Sequence, residues 1–348
     1  MLQDKGTDQR QGGPNLLTVG LGQVTEQDLI ASTRTYYVQT RVSATIGVAG
    51  GTTDATSIAN RGSVLALLDE VILNEAGSVA GRLDARALGV FNEIAAPKDL
   101  SSRATRLTSA DLGVGTYTIE ESVYYNVALG ALLRKSGEVS YVPKSAMARF
   151  FLQYRTVGAA SVHDRLYVGG DRVVTVSALD AEVVQHHDNV SSKSAMPVFM
   201  SGYRQVANEV ISGTVTDFEI ELNTQYPVCA LLVQQISGEI EVDDIITKIS
   251  LIGPNRNPIP DRIAAATYAD LVSRRFAGNL PAGYLPIVFV GGGNLSDMYN
   301  PAMNPRIRLR VDAAVSASAG TSSIRVWAWE LYTRAGLTAP IPAAILAQ

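Results

Sequence analysis

An all-β chain folded as two tandem sandwiches accounts best for three features of this sequence. Apolar and polar residues alternate with period two through most of the chain. Turn-forming residues separate the alternating runs. The order of these runs, and of two helical segments among them, recurs in the second half.

Size and composition allow such a fold. The 348 residues are 46% hydrophobic and 18% charged, and at roughly 150 residues per domain this length suggests two domains. The net charge is −4, whereas nucleic-acid binders usually carry a basic footprint. The densest basic cluster, Arg306-Ile307-Arg308-Leu309-Arg310, alternates with apolar residues and reads as the solvated or subunit-facing side of a strand. A single cysteine, Cys229, excludes an intrachain disulfide framework, and its apolar surroundings make it a buried, inert thiol. The N-terminus lacks the apolar region of a signal peptide. The apolar tail around Ile341 to Leu346 is too short for the roughly 20 residues that span a bilayer. A soluble product made in a cytoplasm is expected.

The elements follow in order. Residues 1–32 read as an N-terminal arm, and the capping-box spacing of Thr25 and Asp28 predicts a short helix over 26–32. Val38, Thr40, Val42, Ala44, Ile46 and Val48 share one face of a long strand. The run Val64, Leu67, Leu68, Val71, Ile72 fits either a helix or a buried strand; its Gly- and Asn-rich flanks favour a strand over 63–73. Leu83, Ala87, Val90, Phe91 and Ile94 form a helical stripe ended by Pro97. Strands are then expected at 116–128, 148–155 and 172–178. The polar stretch His186 to Ser194 suits a linker. Beyond it, alternation at Phe218, Ile220 and Leu222 precedes strands at 226–236 and 240–252. A helix over Ile263 to Phe276 has Asp261 as cap candidate and Gly278 as its stop. Strands at 284–290, 306–312 and 322–333 complete the chain.

Set side by side, the two series match at an offset of about 190 residues, helices included, with little residue identity. Two β-rich halves of this size fit eight-stranded jelly rolls, one of the few arrangements by which an antiparallel chain manages its sheet edges. The expected division is an arm (1–32), a first jelly roll (33–188), a second (195–335) and a C-terminal tail (336–348), each jelly roll carrying a short helical insertion.

Catalytic patterns are sparse. His186-His187-Asp188 has metal-ligating residue types, yet neighbours on a strand point to opposite faces and no second cluster has ligand spacing. His163-Asp164 reads as a surface turn. Gly291-Gly292-Gly293-Asn294 follows a strand, but no amphipathic helix follows to hold a phosphate. The acidic pairs Asp69-Glu70, Glu120-Glu121 and Asp243-Asp244 lie in strand patterns, where one member of each should face solvent. Trp327 and Trp329 share a strand face and suit a sheet core or subunit contact better than a sugar platform. No catalytic, cofactor-binding or metal-ligating residue is assigned, and an enzyme is not expected.

The tandem layout, the block Asn60-Arg61-Gly62-Ser63-Val64-Leu65-Ala66-Leu67 leading to Leu83-Asp84-Ala85-Arg86, the block Arg103-Ala104-Thr105-Arg106-Leu107, and the closing strand Val326-Trp327-Ala328-Trp329-Glu330-Leu331 together resemble the double jelly-roll major capsid proteins of tailless icosahedral bacteriophages, a lineage whose architecture adenovirus hexon shares. The resemblance covers about residues 33–335. It implies a homotrimer whose six jelly rolls make a pseudo-hexagonal capsomer tiling an icosahedral shell in the virion. It further implies neighbouring capsomers, penton and minor capsid proteins as partners, an underlying viral membrane in some members, and no sequence-specific nucleic-acid contact. The alternatives are a carbohydrate- or receptor-binding sandwich such as a phage spike, motivated by Trp327 and Trp329, and a jelly-roll enzyme, disfavoured by three scattered histidines. The mixed α/β capsid fold of tailed phages would need a long spine helix, and none is evident.

Overall fold

The computed structural model describes residues 15–30, 34–50, 64–75, 77–95, 114–126, 149–166, 173–188, 199–253, 257–276, 281–290, 297–303, 306–318 and 320–333. The first half contains β1 (Asn15–Thr18), β2 (Val24–Asp28), β3 (Arg34–Ala49), β4 (Leu68–Glu75), β5 (Ser78–Leu83), helix α1 (Ala85–Ala95), β6 (Gly115–Asn126), β7 (Phe150–Thr156), the short helix α2 (Val162–Leu166) and β8 (Val173–Asp188). The second contains β9 (Phe199–Ile211), β10 (Val215–Glu221), β11 (Val228–Ser237), the two-residue β12 (Ile240–Glu241), β13 (Ile246–Ile252), β14 (Ile263–Ala264), helix α3 (Ala265–Phe276), β15 (Tyr284–Val288), β16 (Arg308–Ala313) and β17 (Ser322–Thr333).

The hydrogen-bonded order is the same in both halves. The first has sheets β1-β8-β3-β6 and β2-β7-β4-β5. The second has β9-β17-β11, continued by β15 on the far side of β11, and β10-β16-β13-β14; β12 is a hairpin extension of β11. With β12 set aside, each half joins its first, eighth, third and sixth strands in one sheet and its second, seventh, fourth and fifth in the other. That is the jelly-roll order. All these pairings are antiparallel. In each half the helix enters between the fifth and sixth strands. The expected all-β class and matched helices therefore hold. The offset between counterparts shortens from β3 and β11 to β8 and β17, because the later connections are longer in the first half.

Several expectations change. No helix forms at Glu26 to Asp28: these residues lie in β2, paired with Gln153 to Phe151 of β7, and β1 pairs with β8. The stretch expected as part of an arm thus supplies the first two strands of the first jelly roll. The carboxylates of Glu26 and Asp28 accept from Arg149 at 2.8 and 2.9 Å, where a capping box would have turned Asp28 back on its own backbone. The 63–73 segment divides into a 3₁₀ turn, Val64–Leu67, and β4. Strand β8 continues through His186, His187 and Asp188, registered against Tyr37, Thr35 and Arg34 of β3, so these three are not linker. Helix α3 starts at Ala265, after β14, and Asp261 lies in the turn before them. The remainder of the linker, the tail, Arg103 to Leu107, Gly278 and Pro97 lie outside the described residues.

Two apolar cores result. One fills the second sandwich with Leu231, Val233, Ile324, Val326 and Ala328 from one face of its β11–β17 pair and Ile249, Leu309 and Val311 from the opposing sheet. The other is larger: it fills the first sandwich and runs on to the opposite face of β11–β17, taking in Ala230, Leu232, Trp327, Trp329 and Leu331. All ten residues of β11 are consequently buried. Trp327 and Trp329 share a strand face as expected, with Ile324, Val326 and Ala328 on the opposite one, and both faces are covered.

Gly81 of β5 lies at the junction of the halves, where a Cβ would fall 1.9 Å from the Tyr125 hydroxyl of its own sandwich and 3.1 Å from the Tyr203 backbone nitrogen of the other. Gly81→Ala should therefore lower stability by about 1–3 kcal/mol through overpacking. Chemical denaturation checks this; an unchanged midpoint would show that the two halves tolerate separation here.

Candidate functional site

The junction between the sandwiches concentrates the buried aromatic and charged side chains. Helix α1 is buried on nearly its whole circumference, Arg86 and Asn92 included, and among its described side chains only Glu93 is half-buried. One side rests on its own sandwich, where the Asn92 carboxamide donates to the Tyr124 backbone oxygen (2.8 Å) and accepts from the Tyr124 backbone N–H (2.7 Å). The other side carries Phe91 onto the second sandwich. Its ring lies 5.2 Å from Tyr203 of β9 and 6.1 Å, edge-on, from Trp329 of β17. Tyr203 in turn stacks at 5.4 Å on Trp329 and meets Tyr125 of β6 edge-on at 5.2 Å. Such pairs contribute about 0.5–1.5 kcal/mol each beyond their buried area.

Beside this cluster lies a polar one. Asp84 precedes α1 and caps it, accepting the Arg86 backbone N–H at 2.8 Å, while the same carboxylate holds the Arg86 guanidinium at 2.9 and 3.2 Å. Arg86 then crosses the junction to Glu241 of β12 at 2.5 Å. Glu241 also accepts from Tyr284 of β15 (3.1 Å), whose hydroxyl accepts from Gln234 (3.0 Å), and the Gln234 oxygen accepts from the Trp327 indole (2.9 Å). A second crossing runs from Arg165 of α2 to Glu239 at 2.6 Å, with Asp69 of β4 on the same guanidinium at 3.1 Å.

The charges do not titrate alike. Burial alone would raise Asp84, but Arg86 outweighs it and holds the carboxyl below its ordinary value. For Glu241 burial wins over the pull of Arg86, and its carboxyl sits above the ordinary range. Burial would lower Arg86, yet Asp84 and Glu241 together hold it well above its usual value. A raised carboxyl beside a tyrosine and an arginine resembles general-acid machinery. Here, however, each group is buried and directed at another member of the cluster. The arrangement is suited to joining two rigid bodies.

The residues singled out in sequence fall mostly elsewhere. Trp327 and Trp329 are buried in the junction and offer no sugar platform. Cys229 is buried against the Met298 sulfur at 3.4 Å, and burial pushes its thiol far up. Arg308 and Arg310 both bind Glu219 of the adjacent β10 on the outer face of their sheet, Arg310 at 2.9 Å. Glu120 is paired with Arg41 at the surface while Glu121 turns inward, as alternation requires. Asp243 and Asp244 lie in the turn before β13, not in a strand, and are both exposed; they accept the backbone N–H groups of Gly283 and Ala317. Glu70 faces Arg82 and Arg155, and Asp69 joins the junction. His163 lies on α2. Gly291 to Asn294 lie outside the described residues. Among the described residues no group of three or more His, Cys, Asp or Glu side chains is placed to hold a metal, and no helix is long and apolar enough to cross a membrane.

Arg86→Met should cost about 3–5 kcal/mol, because it leaves Asp84 and Glu241 buried without their shared cation; denaturant unfolding measures it, and a loss below 1 kcal/mol would contradict the buried pairing. The pH dependence has a defined sign. Glu241, with its raised value, gains stability for the fold as pH falls through that value towards the ordinary carboxylate range. Asp84, with its depressed value, supports the fold above the ordinary range and is lost as pH falls through its own lower value. Stability profiles of wild type and Glu241→Gln should thus differ by a rise on mild acidification that only the wild type shows.

No family model and no curated protein sequence matches the chain. Solved structures do. The major capsid protein of Sulfolobus turreted icosahedral virus superposes with a TM-score of 0.60 at 11% identity, over 93% of this chain and 98% of that one. The Faustovirus major capsid protein gives 0.58 at 8% identity, over 94% and 91%. The major capsid protein of bacteriophage PM2 gives 0.52 at 11% identity, over 93% and 100%. The likeness thus spans both halves and their junction, and this chain has the double jelly-roll fold of those viral capsid proteins.

Proposed function

We propose that this protein is a viral major capsid protein: a structural, non-enzymatic subunit that assembles as a homotrimer, its six jelly rolls forming a pseudo-hexagonal capsomer of an icosahedral shell. The observation that carries the reading is the repeated topology itself. One chain presents two sandwiches of the same strand order, docked side by side through a buried junction. Three such chains supply six near-equivalent walls, which is what tiling a shell with hexagon-like units requires. The similar structures described above are major capsid proteins, and this points the same way. Neighbouring capsomers, penton and minor capsid proteins, and in some shells a membrane, are the partners this role entails. The net charge of −4 suits a wall that is not itself the genome's binding surface.

The sugar-binding alternative loses its motive, since Trp327 and Trp329 belong to the junction. Native mass measurement of the purified protein tests the proposal. A stable trimer, or larger particles built from trimers, is expected; a strict monomer at high concentration would overturn it.

A further inference from the structure

The buried charges at the junction do not balance. Asp84 and Glu241 are both buried, and both are held by the one guanidinium of Arg86. The other crossing cation, Arg165 of α2, is committed to Asp69 and Glu239, whose side chains are 39% and 46% exposed and have water to share their charge. Two ionised carboxylates around one cation leave a net negative charge in a dry site, and uptake of one proton removes it.

Geometry decides which carboxyl takes that proton. Asp84 accepts three N–H groups of Arg86 across its two oxygens: the backbone N–H at 2.8 Å, Nε at 3.2 Å and Nη2 at 2.9 Å. A proton on Asp84 would weaken this charge-assisted fork. The partners of Glu241 converge instead on Oε1: Arg86 Nη1 at 2.5 Å, the Tyr284 hydroxyl at 3.1 Å and the Gln234 carboxamide at 3.4 Å. A proton on Oε2 leaves all three in place. Tyr284 remains a donor, because burial pushes its hydroxyl well above its ordinary value. Burial, the largest influence on Glu241, and the nearby Asp84 favour the neutral carboxyl over the pull of Arg86, its own backbone N–H and Tyr284. Solvent is close at hand. Glu241 follows the exposed hairpin tip Gly238-Glu239, and the exposed Asp243 beyond it holds the Gly283 backbone N–H.

We propose that Glu241 is the proton-binding switch of the junction: protonated, it lets Arg86 tie α1 to the second sandwich, and losing the proton as pH rises loosens that tie, so that the angle between the sandwiches is fixed in mild acid and compliant at higher pH. Asp84 sets the opposite limit. The stability that Glu241 contributes is complete below the ordinary glutamate range and is lost as pH rises through its raised value; that of Asp84 is complete above the ordinary aspartate range and is lost as pH falls through its lowered value. The junction is therefore tightest around the ordinary carboxylate range. The switch belongs to the single chain and does not rest on the capsid reading.

Two measurements on the full-length protein test it. Infrared difference spectra across a pH titration should show a protonated-carboxyl band that disappears as pH rises and is missing in Glu241→Gln. Hydrogen exchange at 85–95, corrected for the intrinsic pH dependence of amide exchange, should quicken about tenfold or more between about pH 4.5 and about pH 8 in the wild type. In Glu241→Gln, whose amide mimics the protonated acid, it should stay as slow at the higher pH as the wild type is at the lower. Absence of the band overturns the protonation, and a band with equal exchange profiles in the two proteins overturns the switch.

Discussion

The β9-β17-β11-β15 sheet must be covered on both faces, and much of the molecule follows from that. Antiparallel sheets commonly keep one face in water. Here β11 is buried at every residue, and Trp327, Trp329 and Leu331 line a face that is outer with respect to the second sandwich. Left bare, that face would be a large apolar patch. The first sandwich closes it with α1. This explains a helix with almost no exposed side, a strand, β5, that needs glycine at its point of approach, and one continuous core across the junction.

Apolar contact alone permits sliding and rotation, and the charged cluster removes that freedom. Arg86 is held by Asp84 within the first sandwich and by Glu241 of the second, so its fork has one geometry in which both carboxylates are satisfied. Arg165 repeats the crossing nearby with Glu239. Buried ion pairs of this sort add little net stability over an apolar filling, but they penalise every misaligned arrangement heavily. If the chain is the wall unit proposed above, its two sandwiches occupy neighbouring corners of one ring, where a fixed angle between them matters more than a few extra kcal/mol.

What the sequence disclosed and what it concealed divide along physical lines. Strands with strict alternation, such as β3, β6, β16 and β17, declare themselves because one face is mostly apolar. Strand β5 is short and interrupted by Gly81, and β9 alternates weakly, so their pairing partners decide them. At β2 the local signal pointed to a helix and the ladder with β7 overrode it. The junction was the least visible feature. Its hydrogen bonds join residues as far apart as Arg86 and Glu239, and no local pattern encodes such a meeting. One hint was present: a charged pair, Asp84 and Arg86, at the head of a helix whose next five residues are apolar or glycine.

Two sandwiches of one strand order in a single chain suit the proposed six-cornered unit, since three copies then supply six similar lobes. Electron cryomicroscopy of the assembled protein addresses this most directly. A ring of six sandwich-shaped lobes with threefold symmetry is expected. Particles with no sixfold arrangement of lobes would contradict the capsomer reading.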